Sequence, residues 1–293
     1  MNDVTLDSAE LLHRWLNRQL PDAAAGWLQD KLAELHEHAS DKTLFLAIGL
    51  APRKVGKDDL LIREEDLAAA ERCRTGWRPV AWSVDQAARL LLLLRAGDDE
   101  EQFARRLEQL FATADVGELV TFYRGLPLYP GQRRYLRRAT EGVRTNMKAV
   151  FEAVAHYNPY PAEQFDDGAW NQMIVKALFI GSRLHPIIGL DRRVNPELMR
   201  MLCDYAHERW AAGRDVSPEL WRCVGPHADD VALADLERVL HAGSERERQA
   251  AVLALSTSRD ARAAALLATA PELAGQAKRA ELTWGTITEQ PSA

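Results

Sequence analysis

The sequence has few cysteines and no long apolar run. Its 293 residues include three cysteines, Cys73, Cys203 and Cys223, and no CxxC pair. Three scattered cysteines are too few for a disulfide framework, so we expect reduced thiols in a cytosol. The longest apolar runs, residues 43–52 and 87–94, are shorter than the roughly 20 residues that a membrane-spanning helix needs. The sequence therefore excludes a disulfide scaffold and a multi-span membrane protein.

The first residues and the overall charge narrow the class further. The chain starts with acidic and polar residues, which lack the basic and apolar regions of a signal peptide, so we expect a cytoplasmic protein. Its 37 Lys and Arg residues against 43 Asp and Glu residues give a formal net charge of -6. Binding to a nucleic-acid backbone needs clustered positive charge, so this balance disfavours DNA and RNA as partners.

Sequence motifs of several enzyme classes are also missing. The chain contains no GxGxxG, no GxxxxGK[ST], no GxSxG and no HExxH. His36 and His38 would fall on different faces of a helix, which does not suit a shared metal ion. We therefore predict neither a metal nor a cofactor.

Helix signals fill the chain. Apolar residues recur at helical spacing in residues 9–20, 24–38 and 98–113, and no Val, Ile or Thr alternation is long enough for a sheet. Helix starts are marked by two capping boxes and two Pro-containing N-caps, at Ser83/Gln86, Ser244/Glu247, Asn195-Pro196 and Ser217-Pro218. The sequence therefore predicts an all-α protein.

The lengths of the helices and connections favour stacked antiparallel pairs. We predict an irregular HEAT-like α-solenoid, with a four-helix bundle carrying extra helices as the alternative. The expected organisation is one helical domain over residues 1–226, HEAT-like repeats packed on it over 227–285, and a tail over 286–293. Residues 124–132 are rich in Pro and Gly and predict an extended loop.

A basic segment spans residues 124–148, with seven Lys and Arg residues against Glu141. Arg133, Arg137 and Arg144 could share roughly one helical face. Arginine side chains bind phosphate and carboxylate in a bidentate manner, so this strip is a candidate anion site. The alternative is a solvated face that is paired with acidic residues elsewhere.

Two further features contain polar residues that suit a site. Asn171 lies on an apolar helix, where it is either a bridge to a neighbouring loop or a ligand contact, because a buried amide needs partners. Asp191 and Arg192 lie in a loop before a proline-started helix. On that helix, Asp204 lies three residues before His207, and Asp–His pairs serve proton transfer or metal binding.

A densely patterned block occupies residues 120–226. It contains the segments NMKAVFE at 146–152, HYNPYP at 156–161, FDD at 165–167, WNQM at 170–173, GLDRR at 189–193, NPEL at 195–198 and DYAHERWAAGR at 204–214. This block resembles the EboA family. The resemblance implies an operon of bacteria and algal plastids, with hydrolase-like and prenyltransferase-like neighbours, that serves secondary-metabolite production or export of precursors. It supplies no catalytic residues.

We therefore expect an accessory protein of such a pathway, which binds a partner protein from the same operon or an anionic intermediate and supports precursor processing or export. One alternative is an enzyme that acts on a prenylated or phosphorylated metabolite through Asp204 and His207. A second, by fold analogy, is a HEAT-like DNA glycosylase, which the net charge disfavours. The candidate ligand-binding residues are Asn158, Asp167, Asn171, Asp191, Arg192 and Asn195, with Arg133, Arg137 and Arg144 as the anion strip.

Overall fold

The computed structural model describes residues 3–37, 40–96 and 99–289. These residues form helices and loops, and the β-bridge between Asp59 and Ser83 is isolated. The all-α prediction is confirmed, whereas the solenoid arrangement remains a prediction. Every helix in the described ranges is too short or too polar to cross a lipid bilayer.

The chain divides into two compact units, Met1–Phe165 and Asp166–Ala293, which we call the N-terminal and the C-terminal unit. The expected boundary after residue 226 lies inside the C-terminal unit and remains a prediction. Residues 286–289, expected in a tail, continue a short helix in which Ile287 is buried. Residues 290–293 lie outside the described ranges, as do His38 and Asp98.

The N-terminal unit is built around a helix that is apolar on nearly all sides. The α-helices of this unit are α1 (Asp3–Asn17), α2 (Asp22–Glu37), α3 (Asp41–Val55), α4 (Glu64–Cys73), α5 (Val84–Arg95), α6 (Glu100–Thr113), α7 (Val116–Arg124), α8 (Leu136–Arg144), α9 (Lys148–Ala155) and α10 (Tyr160–Gln164). The central helix is α5, in which residues 90–94 are five consecutive leucines that are at most 1% exposed. A helix that is apolar all round must be buried, and α5 packs against α1, α2, α3 and α7.

The expectation of an extended loop over residues 124–132 is wrong. This stretch is compact, with one 3-10 helix over Leu126–Leu128 and a second over Gln132–Tyr135. Residues 125–130 are all buried, and the hydroxyl of Tyr129 donates to the carbonyl of Phe122 at 2.9 Å. The Pro and Gly residues permit tight turns, while the Leu and Tyr side chains between them favour burial.

The C-terminal unit is organised around α14, in which residues 250–255 are all buried. This helix packs against α13, α15, α16 and α17 and against two 3-10 helices, Pro218–Cys223 and Gly225–His227. The α-helices of this unit are α11 (Asp167–Phe179), α12 (Pro196–Ala211), α13 (Asp230–Ala242), α14 (Glu245–Thr257), α15 (Ala261–Ala268), α16 (Pro271–Lys278) and α17 (Trp284–Glu289).

Most of the predicted helix starts are confirmed. Capping boxes open α5 at Ser83 and α14 at Ser244, and the side chain of Asn195 accepts from the backbone N–H of Leu198 at the start of α12. Ser217-Pro218 opens a 3-10 helix instead of an α-helix. These starts are predictable because a cap involves residues that are close in sequence.

Candidate functional site

A cleft of about 370 Å³ lies between α11 and α12 in the C-terminal unit. Volumes of this order are typical of small-molecule sites, at the lower end of their range. Its lining consists of four residues of α11, three residues of α12 and one residue just beyond it: Gln172, Val175, Lys176, Phe179, Tyr205, Glu208, Arg209 and Arg214.

Helical spacing places these side chains on facing surfaces. The lining residues of α11 lie at positions i, i+3, i+4 and i+7, and those of α12 at i, i+3 and i+4, so each set shares one helix face. Gly213, whose φ is +64°, turns the chain back after α12. As a result, the backbone N–H of Arg214 donates to the carbonyl of Arg209 at 2.9 Å, and Arg214 returns to the cleft.

The cleft combines positive charge with exposed apolar surface. Its lining contains three cations, Lys176, Arg209 and Arg214, and one carboxylate, Glu208. The ammonium of Lys176 lies 5.5 Å from the ring centre of Phe179, a side chain that is 69% exposed. Such a lining suits a small ligand that has both an anionic group and an apolar part.

Two amides join α11 to the start of α12. Asn171 donates to Oδ1 of Asn195 at 3.2 Å, and Asn195 donates to Oδ1 of Asn171 at 2.9 Å. Asn195 also caps α12, and Asn171 is 3% exposed. Asn171 therefore forms a bridge that fixes the two helices of the cleft, and its role as a ligand contact stays a prediction.

The loop between α11 and α12 is held by an ion pair and a buried carboxylate. Arg222 binds both oxygens of Asp191 at 2.6 Å. Burial alone would lower the pKa of Arg222, but the hydrogen bonds and charge of Asp191 raise it. Glu219, 7% exposed, accepts from the backbone N–H groups of Leu184 and His185 at 3.0 and 2.7 Å. These contacts support the loop, and their residues do not line the cleft.

Three further residues that were predicted to bind a ligand, Asn158, Asp167 and Arg192, do not line the cleft. Asp167 pairs with Arg193 at 2.8 Å, and the guanidinium of Arg193 lies 4.8 Å from the ring centre of Trp170. Arg192 is exposed. Asn158 belongs to the N-terminal unit, where it is 3% exposed and donates to the carbonyls of Tyr123 and Ala153. Asp167 and Asn158 therefore have partners within the protein, and the ligand-binding roles of these two residues and of Arg192 stay predictions.

The basic segment lies in the N-terminal unit and is largely ion-paired. Arg137 and Arg138 both contact Glu108 and Glu141, and Arg134 pairs with Glu100 at 2.8 Å. This is the geometry of the ion-paired alternative. Two members of the predicted anion strip, Arg133 and Arg144, are exposed.

The histidine predicted to pair with Asp204 has a different partner. Nε2 of His207 lies 2.8 Å from both carboxylate oxygens of Asp235, on α13, while Asp204 is exposed. An ionised carboxylate only accepts hydrogen bonds, so Nε2 of His207 is the donor to Asp235. Nδ1, the other ring nitrogen, takes no part in this contact. Asp235 was missed because it lies 28 residues further along the chain.

Neighbouring groups do not extend this pair into a nucleophilic or metal site. Burial, together with the charge of Asp235, raises the pKa of the Cys203 thiol to about 12, which suppresses the thiolate. Within the part of the chain that the structure describes, no cluster of three or more His, Cys, Asp or Glu side chains could hold a metal ion.

Comparison with known proteins places this site within a family. Residues 8–225 match the family model of EboA, described as metabolite traffic protein EboA. The chain belongs to the EboA family. All eight residues that line the cleft fall inside the EboA match, whereas Asp235 falls outside it. No curated protein and no solved structure matches the chain.

The cleft of this EboA member is not among the sites predicted from its sequence. Gln172 and Lys176 line it from α11, and neither was predicted as a site residue. A signal was present on α12, where Tyr205, Glu208 and Arg209 repeat at helical spacing with an aromatic, an acidic and a basic side chain. Which helix faces them follows from the tertiary structure alone.

Proposed function

We propose that the protein is an accessory binding protein of a secondary-metabolite pathway and that it holds an anionic intermediate in the α11–α12 cleft. The observation that carries this proposal is the lining of the cleft, where three cations stand beside one carboxylate in a chain of net charge -6. The family description, metabolite traffic, agrees with a role in carrying a small molecule. A cytoplasmic location and transfer of the intermediate to a partner protein from the same operon are parts of the proposal.

The helix dipole could explain why cations line the cleft without any ligand, but it does not explain the exposed aromatic ring beside them. Lys176 and Arg209 lie in the last turns of their helices, where the partial negative charge of a helix C terminus attracts cations. That effect does not explain why Phe179 is 69% exposed beside them. An aromatic ring exposed among cations is a common feature of ligand sites.

The polar network behind the cleft supports the same function. The Asn171–Asn195 bridge fixes the start of α12 against α11, and the Asp191–Arg222 pair fixes the loop between them. A site whose walls are held before the ligand arrives loses less entropy on binding. In this proposal, Asn171, Asp191 and Asn195 position the cleft and do not contact the ligand.

The test is native mass spectrometry of the protein purified from the cells that make it. We expect a bound small molecule on the wild type, which a Lys176→Gln/Arg209→Gln double variant loses. Arg200→Gln is the matched control, because Arg200 is an exposed arginine of the same helix whose partner is Glu197. Equal occupancy of the double variant and the control would contradict the proposal.

A second candidate function, an enzyme, is favoured by the His207–Asp235 pair. A histidine whose Nε2 is held by a carboxylate can act as a general base through Nδ1. Incubation of the bound small molecule with wild type and with Asp235→Asn separates the two functions. Conversion by the wild type alone, with equal binding by both, would support the enzyme, and unchanged ligand on both supports the carrier.

A further inference from the structure

The anionic group that fits the cleft is defined by the arginines at the end of α12. The hydrogen bonds of the described residues engage the guanidinium of Arg209 only through Nε, which donates to the carbonyl of Asp215 at 2.9 Å. The terminal nitrogens of its guanidinium therefore remain available to the cleft, and Arg214 lines it from the following turn. Two guanidinium groups in the lining of one cleft can bind the oxygens of a phosphate or carboxylate.

The charge of the lining separates these two anions. Lys176, Arg209 and Arg214 against Glu208 leave a net charge of +2. A phosphate monoester carries about -1.5 to -2 near neutral pH, whereas a carboxylate carries -1. The phosphate monoester balances the lining more completely.

The lining also contains apolar and aromatic side chains. Val175 and Tyr205 are half-buried, and Phe179 presents most of its ring to solvent. Lys176 lies over this ring, 5.5 Å from its centre, which fixes the cation near the aromatic surface. A flat apolar group that covers Phe179 would remove this exposed surface from water and gain the free energy of burial.

We infer that the ligand is a phosphate monoester of a small aromatic or similarly planar body. The body covers Phe179, and the phosphate contacts Arg209 and Arg214. The volume of about 370 Å³ accommodates a body of one or two rings. This inference rests on the proposed function, because it specifies the chemistry of the intermediate held in the same cleft.

The test is isothermal titration calorimetry with four probes: 1-naphthyl phosphate, 1-naphthoate, 1-naphthol and inorganic phosphate. We expect 1-naphthyl phosphate to bind at least about tenfold more tightly than each of the others, because it alone supplies both a dianion and an aromatic body. Arg209→Gln/Arg214→Gln should weaken it about tenfold or more, and Phe179→Ala should reduce its advantage over inorganic phosphate. Arg200→Gln and Val231→Ala, exposed on α12 and α13, are the matched controls.

Several results would overturn the inference. Equal binding of 1-naphthoate and 1-naphthyl phosphate would show that the dianion is not selected. Equal binding of 1-naphthol would show that the phosphate adds no affinity, and equal binding of inorganic phosphate would show that the aromatic body adds none. An equal loss of affinity in the control variants would place the probe elsewhere. No binding of any probe, together with a small molecule in the native mass spectrum, overturns the ligand class and leaves the proposed function standing. The absence of both overturns the proposed function.

Discussion

Burial raises the pKa of each of the three thiols, to about 11 for Cys73 and to about 12 for Cys203 and Cys223. A thiol with a pKa of 12 is ionised to only about 1 part in 10,000 at pH 8. We therefore expect a thiol reagent such as DTNB to leave Cys203 and Cys223 unmodified in the native protein at pH 8, and to label three thiols after denaturation. A Cys73→Ser variant isolates the two buried thiols. Rapid labelling of this variant before it unfolds would contradict the prediction.

Asp66 makes the free energy of unfolding depend on pH. Burial opposes its ionisation, but hydrogen bonds from the guanidinium of Arg18 and from the backbone N–H of Arg63 outweigh this, and the pKa of Asp66 is lowered. A lowered pKa stabilises the folded state above the unfolded pKa of about 3.9, and this contribution is lost as pH falls through the folded value.

We therefore expect Asp66→Asn to be less stable than the wild type at pH 7, by about 1–3 kcal/mol, since it weakens a hydrogen-bonded charge pair. The difference between the two proteins should shrink as pH falls below about 4, because the wild-type carboxylate becomes protonated. Thermal unfolding followed by circular dichroism from pH 7 to pH 3 measures both effects. A difference that stays constant over this range would show that the charge of Asp66 plays no part.

The basic segment shows what the sequence could not predict at this scale. Its positive charges are evident along residues 124–148, and both interpretations, an anion strip and an ion-paired face, fit that pattern. Glu100 and Glu108, which pair with Arg134, Arg137 and Arg138, lie about 30 residues earlier in the chain. The pairing depends on how α6 packs near α8, which no local pattern encodes.

At the scale of elements, Asn195 connects two helices and makes a specific prediction. Its side chain caps α12 through the N–H of Leu198 and exchanges hydrogen bonds with Asn171. We expect Asn195→Ala to lower the free energy of unfolding by about 1–3 kcal/mol, because it removes the cap and leaves a buried amide with fewer partners.

Asn195→Asp separates the two roles. An aspartate still accepts from Leu198 and caps the helix, but it cannot donate to Oδ1 of Asn171. Urea unfolding of both variants is the measurement, and we expect the aspartate variant to lose less stability than the alanine variant. Equal losses would mean that the cap contributes nothing and that the bridge accounts for the whole effect.

The same scale separates features that the sequence predicts from those that it does not. The starts of α5, α12 and α14 were predictable because each cap uses side chains within three residues. The buried 3-10 turns of residues 125–130 were not, because turn-forming residues show where the chain bends but not whether the bend is covered. The cleft falls in the second group, since it requires that one face of α11 and one face of α12 meet in the tertiary structure.

At the scale of the whole molecule, the all-α class followed directly from the periodicity, whereas the expected domain boundary after residue 226 stays a prediction. The family match ends at residue 225, close to the boundary expected from sequence, yet the C-terminal unit continues from Asp166 to the end of the chain. At the position where the match ends, Gly225 packs against α14. A Cβ on Gly225 would lie 2.2 Å from the carbonyl oxygen of Ala254, so the two backbones are in direct contact.

This contact predicts that the family-matched region does not fold independently of the rest. A chain that ends at residue 228 keeps every residue of the match but loses α14, and Leu220 and Trp221, both 0% exposed, would lose the helix that packs on their 3-10 segment. Each such side chain contributes about 1.5–3 kcal/mol through burial. We therefore expect the truncated chain to lose the cooperative thermal unfolding of its C-terminal unit. Cooperative unfolding of the truncated chain at the wild-type temperature would contradict this account and would favour an independent domain ending near residue 226.

Gly225→Ala is a milder variant that tests the same contact. It should lower the free energy of unfolding by about 1–3 kcal/mol, because the added methyl group overpacks the contact with α14. Gly213→Ala is unsuitable as a control, because the positive φ of Gly213 adds strain of its own. Gly26→Ala is the better control, since a Cβ there meets nothing within 4 Å.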